Sequence, residues 1–121
     1  MQHRVVITVA ALLAAASASA LAGAATATPR LVGTVGPGFN IVLKASSGKR
    51  VTTLRPGRYI LVVHDRSRIH DFHLSGPGVN RVVTTVGFVG TKTIRVTLKP
   101  GRYRYVCDPH AFVMHGAFKV S

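Results

Sequence analysis

From residue 31 to the end, the chain is cut at short intervals by turn-forming residues: Gly36-Pro37-Gly38, Ser46-Ser47-Gly48, Pro56-Gly57, Ser75-Gly76-Pro77-Gly78 and Pro100-Gly101. Gly and Pro at this spacing leave no stretch long enough for a helix of several turns, and none shows apolar residues at helical spacing. The intervening segments alternate apolar and polar residues, as half-buried strands do. Strands are expected at residues 31–35, 39–45, 51–54, 59–64, 69–74, 82–86, 91–98, 102–107 and 117–120. Short strands separated by turns favour an all-β sandwich of about eight strands, with a closed barrel as the alternative. Leu54-Arg55-Pro56-Gly57-Arg58-Tyr59 and Leu98-Lys99-Pro100-Gly101-Arg102-Tyr103 repeat one pattern, read as two similar hairpin turns.

The first residues read differently. Arg4 precedes an apolar run over 5–16, and Ala18-Ser19-Ala20 and Ala22-Gly23-Ala24 follow. A positive start, a short apolar core and an A-x-A ending describe a secretory signal peptide. A membrane anchor is the alternative, disfavoured by the Ala, Ser and Gly content. The expected organisation is a signal peptide over 1–24 and one domain over 29–121 of an exported protein, placed in the periplasm, the cell envelope or outside the cell. After cleavage, no stable membrane insertion is expected.

Export bears on the single cysteine, Cys107. It has no internal disulfide partner, and a free thiol in an oxidising compartment is a hazard unless buried or bound. The net charge is +13, from 16 Lys and Arg against 3 acidic residues, all Asp. That charge fits an acidic partner and a merely solvated basic surface equally well, since the basic residues are scattered along the chain. Nucleic acid is not expected of an exported domain. With so few carboxylates and no nucleophile–base pair to name, the chain is not expected to be an enzyme.

The chemistry is concentrated in Cys107-Asp108-Pro109-His110-Ala111-Phe112-Val113-Met114-His115-Gly116. This segment puts a thiol, an imidazole and a thioether in one loop at the end of a strand. Thiolate and thioether suit Cu(I), and imidazole suits Cu(II) as well. By the two-residue strand period, Tyr103, Tyr105 and Cys107 share the inward face. On 69–74, His70, Phe72 and Leu74 share a face opposite Asp71 and His73, so His70 is the inward candidate for a further ligand. Two His, one Cys and a weak axial Met make the trigonal electron-transfer copper geometry. Zinc is the rival metal, although structural zinc sites seldom use Met. His64, His73 and His115 are not expected to be ligands.

These segments resemble the cupredoxin family, in particular the plastocyanin and amicyanin group. The shared ending is Tyr105-Val106-Cys107-Asp108-Pro109-His110, then Met114-His115-Gly116, ahead of the last strand. His70 with Asp71 matches an earlier His followed by Asn. The resemblance implies a Greek-key β-sandwich of about 7–8 strands, and one copper ion held by His70, Cys107, His110 and Met114. It also implies one-electron transfer between redox partners; a monomer is the default expectation. A copper carrier or buffer using the same ligands is the alternative, and a metal-free interaction domain is a third. Two departures stand out. Three residues separate His110 from Met114, a spacing intermediate between the amicyanin and plastocyanin loops. Asp71 replaces the Asn that links the two ligand segments. An ionised carboxylate can accept but not donate, so that link must change or Asp71 must point elsewhere.

Overall fold

A computed structural model describes residues 10–12, 14–15 and 26–121. Most of the expected signal peptide lies outside the described residues. Nine strands form two sheets: β1 (Arg30–Val35), β2 (Ile41–Ala45), β3 (Thr53–Leu54), β4 (Gly57–Asp65), β5 (Phe72–Gly76), β6 (Val79–Thr84), β7 (Gly90–Leu98), β8 (Gly101–Val106) and β9 (His115–Val120). One sheet has the order β2-β1-β4-β7 and the other β3-β9-β8-β5-β6. Both are mixed, because β1 pairs with β4 in parallel and β3 with β9 in parallel. The one helical element among the described residues is a 3-10 turn, Asp108–His110. None of the described helices is long and apolar enough to cross a membrane.

Alternation decides what fills the space between the sheets. Tyr59, Leu61 and Val63 of β4 point inward with Leu31, Val35 and Leu43, and meet Phe72, Leu74, Tyr103, Tyr105, Phe118 and Val120 of the facing sheet. Aromatic rings order this core: Phe72 stacks on Tyr105 at 5.8 Å and Tyr103 on Phe118 at 5.2 Å between centroids. Offset stacks of this kind add stability beyond the area they bury. Gly33 makes room for one of them, since a Cβ there would lie 2.8 Å from the Phe72 ring.

The repeated Leu-x-Pro-Gly-Arg-Tyr segments are not hairpins. β3 and β4 lie in different sheets, as do β7 and β8, so each segment carries the chain across the sandwich. In both corners the Tyr hydroxyl bonds backbone four residues upstream. Tyr59 donates to the Arg55 carbonyl at 2.7 Å. Tyr103 accepts the Lys99 N–H at 2.9 Å and donates to the Pro77 carbonyl at 2.8 Å. Each corner thereby satisfies backbone groups that no ladder reaches. A local sequence signal reports a tight turn but not which sheet the next strand joins.

The expected 69–74 strand starts later, at Phe72. His70 and Asp71 therefore belong to the connection from β4, where strand alternation does not apply. His70 is buried as expected, but Asp71 is buried as well, at 5 % exposure. Phe39, expected to open the 39–45 strand, precedes β2 instead and is 62 % exposed.

Candidate metal centre

Two stretches of backbone meet at one end of the sandwich. β8 delivers Cys107 immediately after its last residue, the 3-10 turn turns His110 back toward it, and the β4–β5 connection brings His70 across from the other sheet. The Cys107 sulfur lies 3.6 Å from His70 Nδ1 and 3.5 Å from His110 Nδ1. The two Nδ1 atoms are 3.1 Å apart. Among the described residues this is the one group of three His, Cys or Asp side chains whose ligand atoms converge in this way. Met114 is fully buried and belongs to the same apolar cluster as Cys107. Of the other histidines, His64 bonds Thr91 Oγ1, and His115 is exposed at the start of β9.

Hydrogen bonds outside the donor set hold it in place. His70 donates from Nε2 to the Gly38 carbonyl at 2.9 Å. That bond fixes the tautomer and leaves the Nδ1 lone pair facing the sulfur. Gly38 is presented by the turn after β1, closed by the Gly36 N–H on the Asn40 carbonyl at 2.9 Å. Within the ligand loop, Cys107 N–H reaches the Met114 carbonyl at 3.0 Å, and Met114 N–H reaches the His110 carbonyl at 2.9 Å. These bonds close the loop on itself.

Asp71 does not point elsewhere. Its Oδ1 accepts the Asp108 N–H at 2.7 Å, which keeps the acceptor half of the link expected of an Asn. Burial, and a hydrogen bond with the Asp108 carboxyl, push Asp71 up to about 6. Hydrogen bonds from Asp71 and His73 hold Asp108 below its ordinary value despite burial, which acts the other way. His73 Nδ1 sits 2.9 Å from Asp108 Oδ2, and Nε2 bonds Asn80 Oδ1. The hydrogen bond to Asn80 and the Asp108 carboxylate raise His73 above its ordinary value. His73, not expected to be a ligand, is partly buried and anchors the loop through Asp108.

Burial pushes the Cys107 thiol up, partly offset by hydrogen bonds from the backbone of Asp71 and His110. The donor atoms fit a single small ion. A point equidistant from three atoms spaced this closely lies about 2 Å from each, the length of a metal–nitrogen or metal–sulfur bond. One thiol, two imidazoles and a thioether suit copper better than a hard cation.

The wall that sequence reading missed is Phe39. Its ring meets His70 edge-on at 5.6 Å and His110 at 4.9 Å between centroids. The signal was present in Gly36-Pro37-Gly38, which ends β1 at the metal end, but Phe39 was assigned to a strand. Beyond His110 the rim continues as Phe112, 99 % exposed, and Val113.

The fold is a cupredoxin-like β-sandwich, with the His70, Cys107 and His110 donor atoms gathered at one end of it. Among solved structures, the copper protein rusticyanin superposes with a TM-score of 0.52 at 20 % identity, over 76 % of each chain. Reduced rusticyanin gives 0.52 at 22 % identity, over 76 % of this chain and 78 % of that one. A chain of a heme-copper terminal oxidase dimer gives 0.51 at 17 % identity, with only 63 % of that chain covered. At these identities the likeness establishes the fold. No family model matches the sequence, and no curated protein does.

Proposed function

We propose that this protein is an exported mononuclear type 1 copper protein that carries single electrons between redox partners. His70, Cys107, His110 and Met114 would hold the copper. Copper bound there supplies the Cu(I)/Cu(II) couple. The observation that carries this reading is the convergence of the Cys107 sulfur and both Nδ1 atoms within 3.1–3.6 Å of one another, in a buried pocket already fixed by protein hydrogen bonds. A cage whose ligands are held by Gly38, Asp71 and the loop's own backbone changes little between oxidation states, as fast electron exchange requires. His110 is the half-buried member of the set, and the exposed apolar side chains beside it give a partner a dry surface through which to reach its ring.

Export rests on the charged start and apolar run of the first residues. Electron transfer is distinguished from copper carriage by redox cycling of the copper-loaded protein. Repeated oxidation and reduction with full recovery of the visible band supports electron transfer. Loss of copper to a competing Cu(I) chelator on the first reduction supports the carrier.

A further inference from the structure

The scattered basic residues of the sequence are sorted by the fold. The metal end is defined by the ends of β1, β4 and β8, where Val35, Asp65 and Val106 lead toward Gly36, His70 and Cys107. The opposite end is defined by the starts of those strands, and Arg30, Arg58 and Arg102 stand there. Antiparallel pairing adds Lys44 of β2 near Arg30, and the two sheet-crossing corners add Arg55 and Lys99. All of these side chains are exposed. The metal end carries Arg66, Arg68 and Lys92, and also all three carboxylate side chains of the chain, Asp65, Asp71 and Asp108. The far end has no acidic side chain. Among the described residues the single ion pair is His73–Asp108, so none of the far-end cations has a carboxylate partner.

Like charges gathered at one end repel each other and destabilise the compact state, a cost that an anionic surface relieves. On the flank of this end, a cavity of about 260 Å³ lies among Thr28, Arg58, Ile60, Arg95 and Thr97. Its two guanidiniums and two hydroxyls suit the oxygens of a phosphate headgroup. The chain also enters the fold at this end, through residues 26–29 into Arg30, and the apolar run 5–16 precedes it in sequence.

We infer that the end of the sandwich opposite the metal centre is a docking surface for anionic lipid, which holds the protein on a membrane with His110 and its apolar rim turned toward a partner. This does not depend on a metal being bound. The test is co-sedimentation of the exported chain, residues 25–121, with vesicles of phosphatidylglycerol and phosphatidylcholine in equal parts, against vesicles of phosphatidylcholine alone. Tighter binding to the anionic vesicles is expected, and high salt abolishes the difference. Reversing Arg30→Glu, Arg58→Glu and Lys99→Glu together weakens that binding by about tenfold or more, while Arg66→Glu with Arg68→Glu at the metal end leaves it within about twofold. Circular dichroism checks the fold of both variants. If the triple reversal does not fold, Arg30→Gln with Arg58→Gln makes the same comparison without adding like or unlike charge. Equal weakening by both sets overturns the proposal, as does indifference to lipid charge. A preference for an acidic protein such as poly-aspartate over the vesicles also overturns it.

Discussion

Asp71 Oδ1 accepts the backbone N–H of Asp108 at 2.7 Å, joining the segment that holds His70 to the loop that holds Cys107 and His110. Asp71 stands just before β5 and Asp108 just after β8, neighbouring strands of one sheet, so the bond carries their pairing into the segments that hold the cage. It is made by a carboxyl whose pKa stands at about 6, chiefly because it is buried.

A raised carboxyl pKa favours the fold while the group is protonated. The folded chain holds its proton up to about 6 and the unfolded chain only to 3.8, so stability falls as pH rises through that interval and stays lower above it. Asp71→Asn keeps the acceptor and removes the ionisation. In metal-free protein the Asn variant is expected to gain on the order of 1–3 kcal/mol over the wild type above pH ~6, with little gain at pH ~4. Thermal midpoints at the two pH values check this, and an equal gain at both contradicts it.

Gly36 combines a φ of +74° with a Cβ direction that ends 3.2 Å from His70 Cδ2. Gly36→Ala therefore strains the backbone by about 1–2 kcal/mol and presses on the imidazole. A drop in thermal midpoint and weaker copper affinity are both expected. Competition with a chelator of known affinity measures the second, and unchanged affinity would show that the ring tolerates displacement.

Tyr103 is buried and serves two backbone partners in one corner. Tyr103→Phe leaves the Lys99 N–H and the Pro77 carbonyl short of a partner, costing about 1–3 kcal/mol. The corner lies at the end remote from Cys107, so the copper spectrum should not change. Urea unfolding and visible absorption of the same variant check the two halves of this expectation.

Phe112 touches almost nothing, being 99 % exposed. Phe112→Ala is expected to change stability by no more than about 0.5 kcal/mol and to leave the copper spectrum as it is. Electron self-exchange should slow, because the apolar surface beside His110 is reduced. An unchanged exchange rate would remove Phe112 from the proposed contact surface.

Much of this was legible in the sequence because it is local. Turn residues mark the strand ends, alternation put Tyr105 and Cys107 inward, and one loop holds three soft donors at fixed spacing. What escaped depends on contacts between distant segments. The Leu-x-Pro-Gly-Arg-Tyr corners look like hairpins until their strands are seen in different sheets. Asp71 was assigned outward because alternation was extended one turn too far, past Phe72 where the strand begins. Phe39 falls in the strand expected at 39–45 but precedes β2, and the turn after β1 sets its ring edge-on to both histidines. The basic residues are evenly spread in sequence, and only the strand directions bring Arg30, Lys44, Arg55, Arg58, Lys99 and Arg102 to one end.

The most direct test of the central claim is titration of the metal-free protein with Cu(II), followed by visible absorption and electron paramagnetic resonance, beside Cys107→Ser. The wild type is expected to bind one equivalent and develop the intense charge-transfer band and narrow copper hyperfine splitting of a thiolate-bound type 1 site, and the Ser variant neither. Copper that binds with the same weak spectrum in both proteins, or fails to bind the wild type, would contradict it.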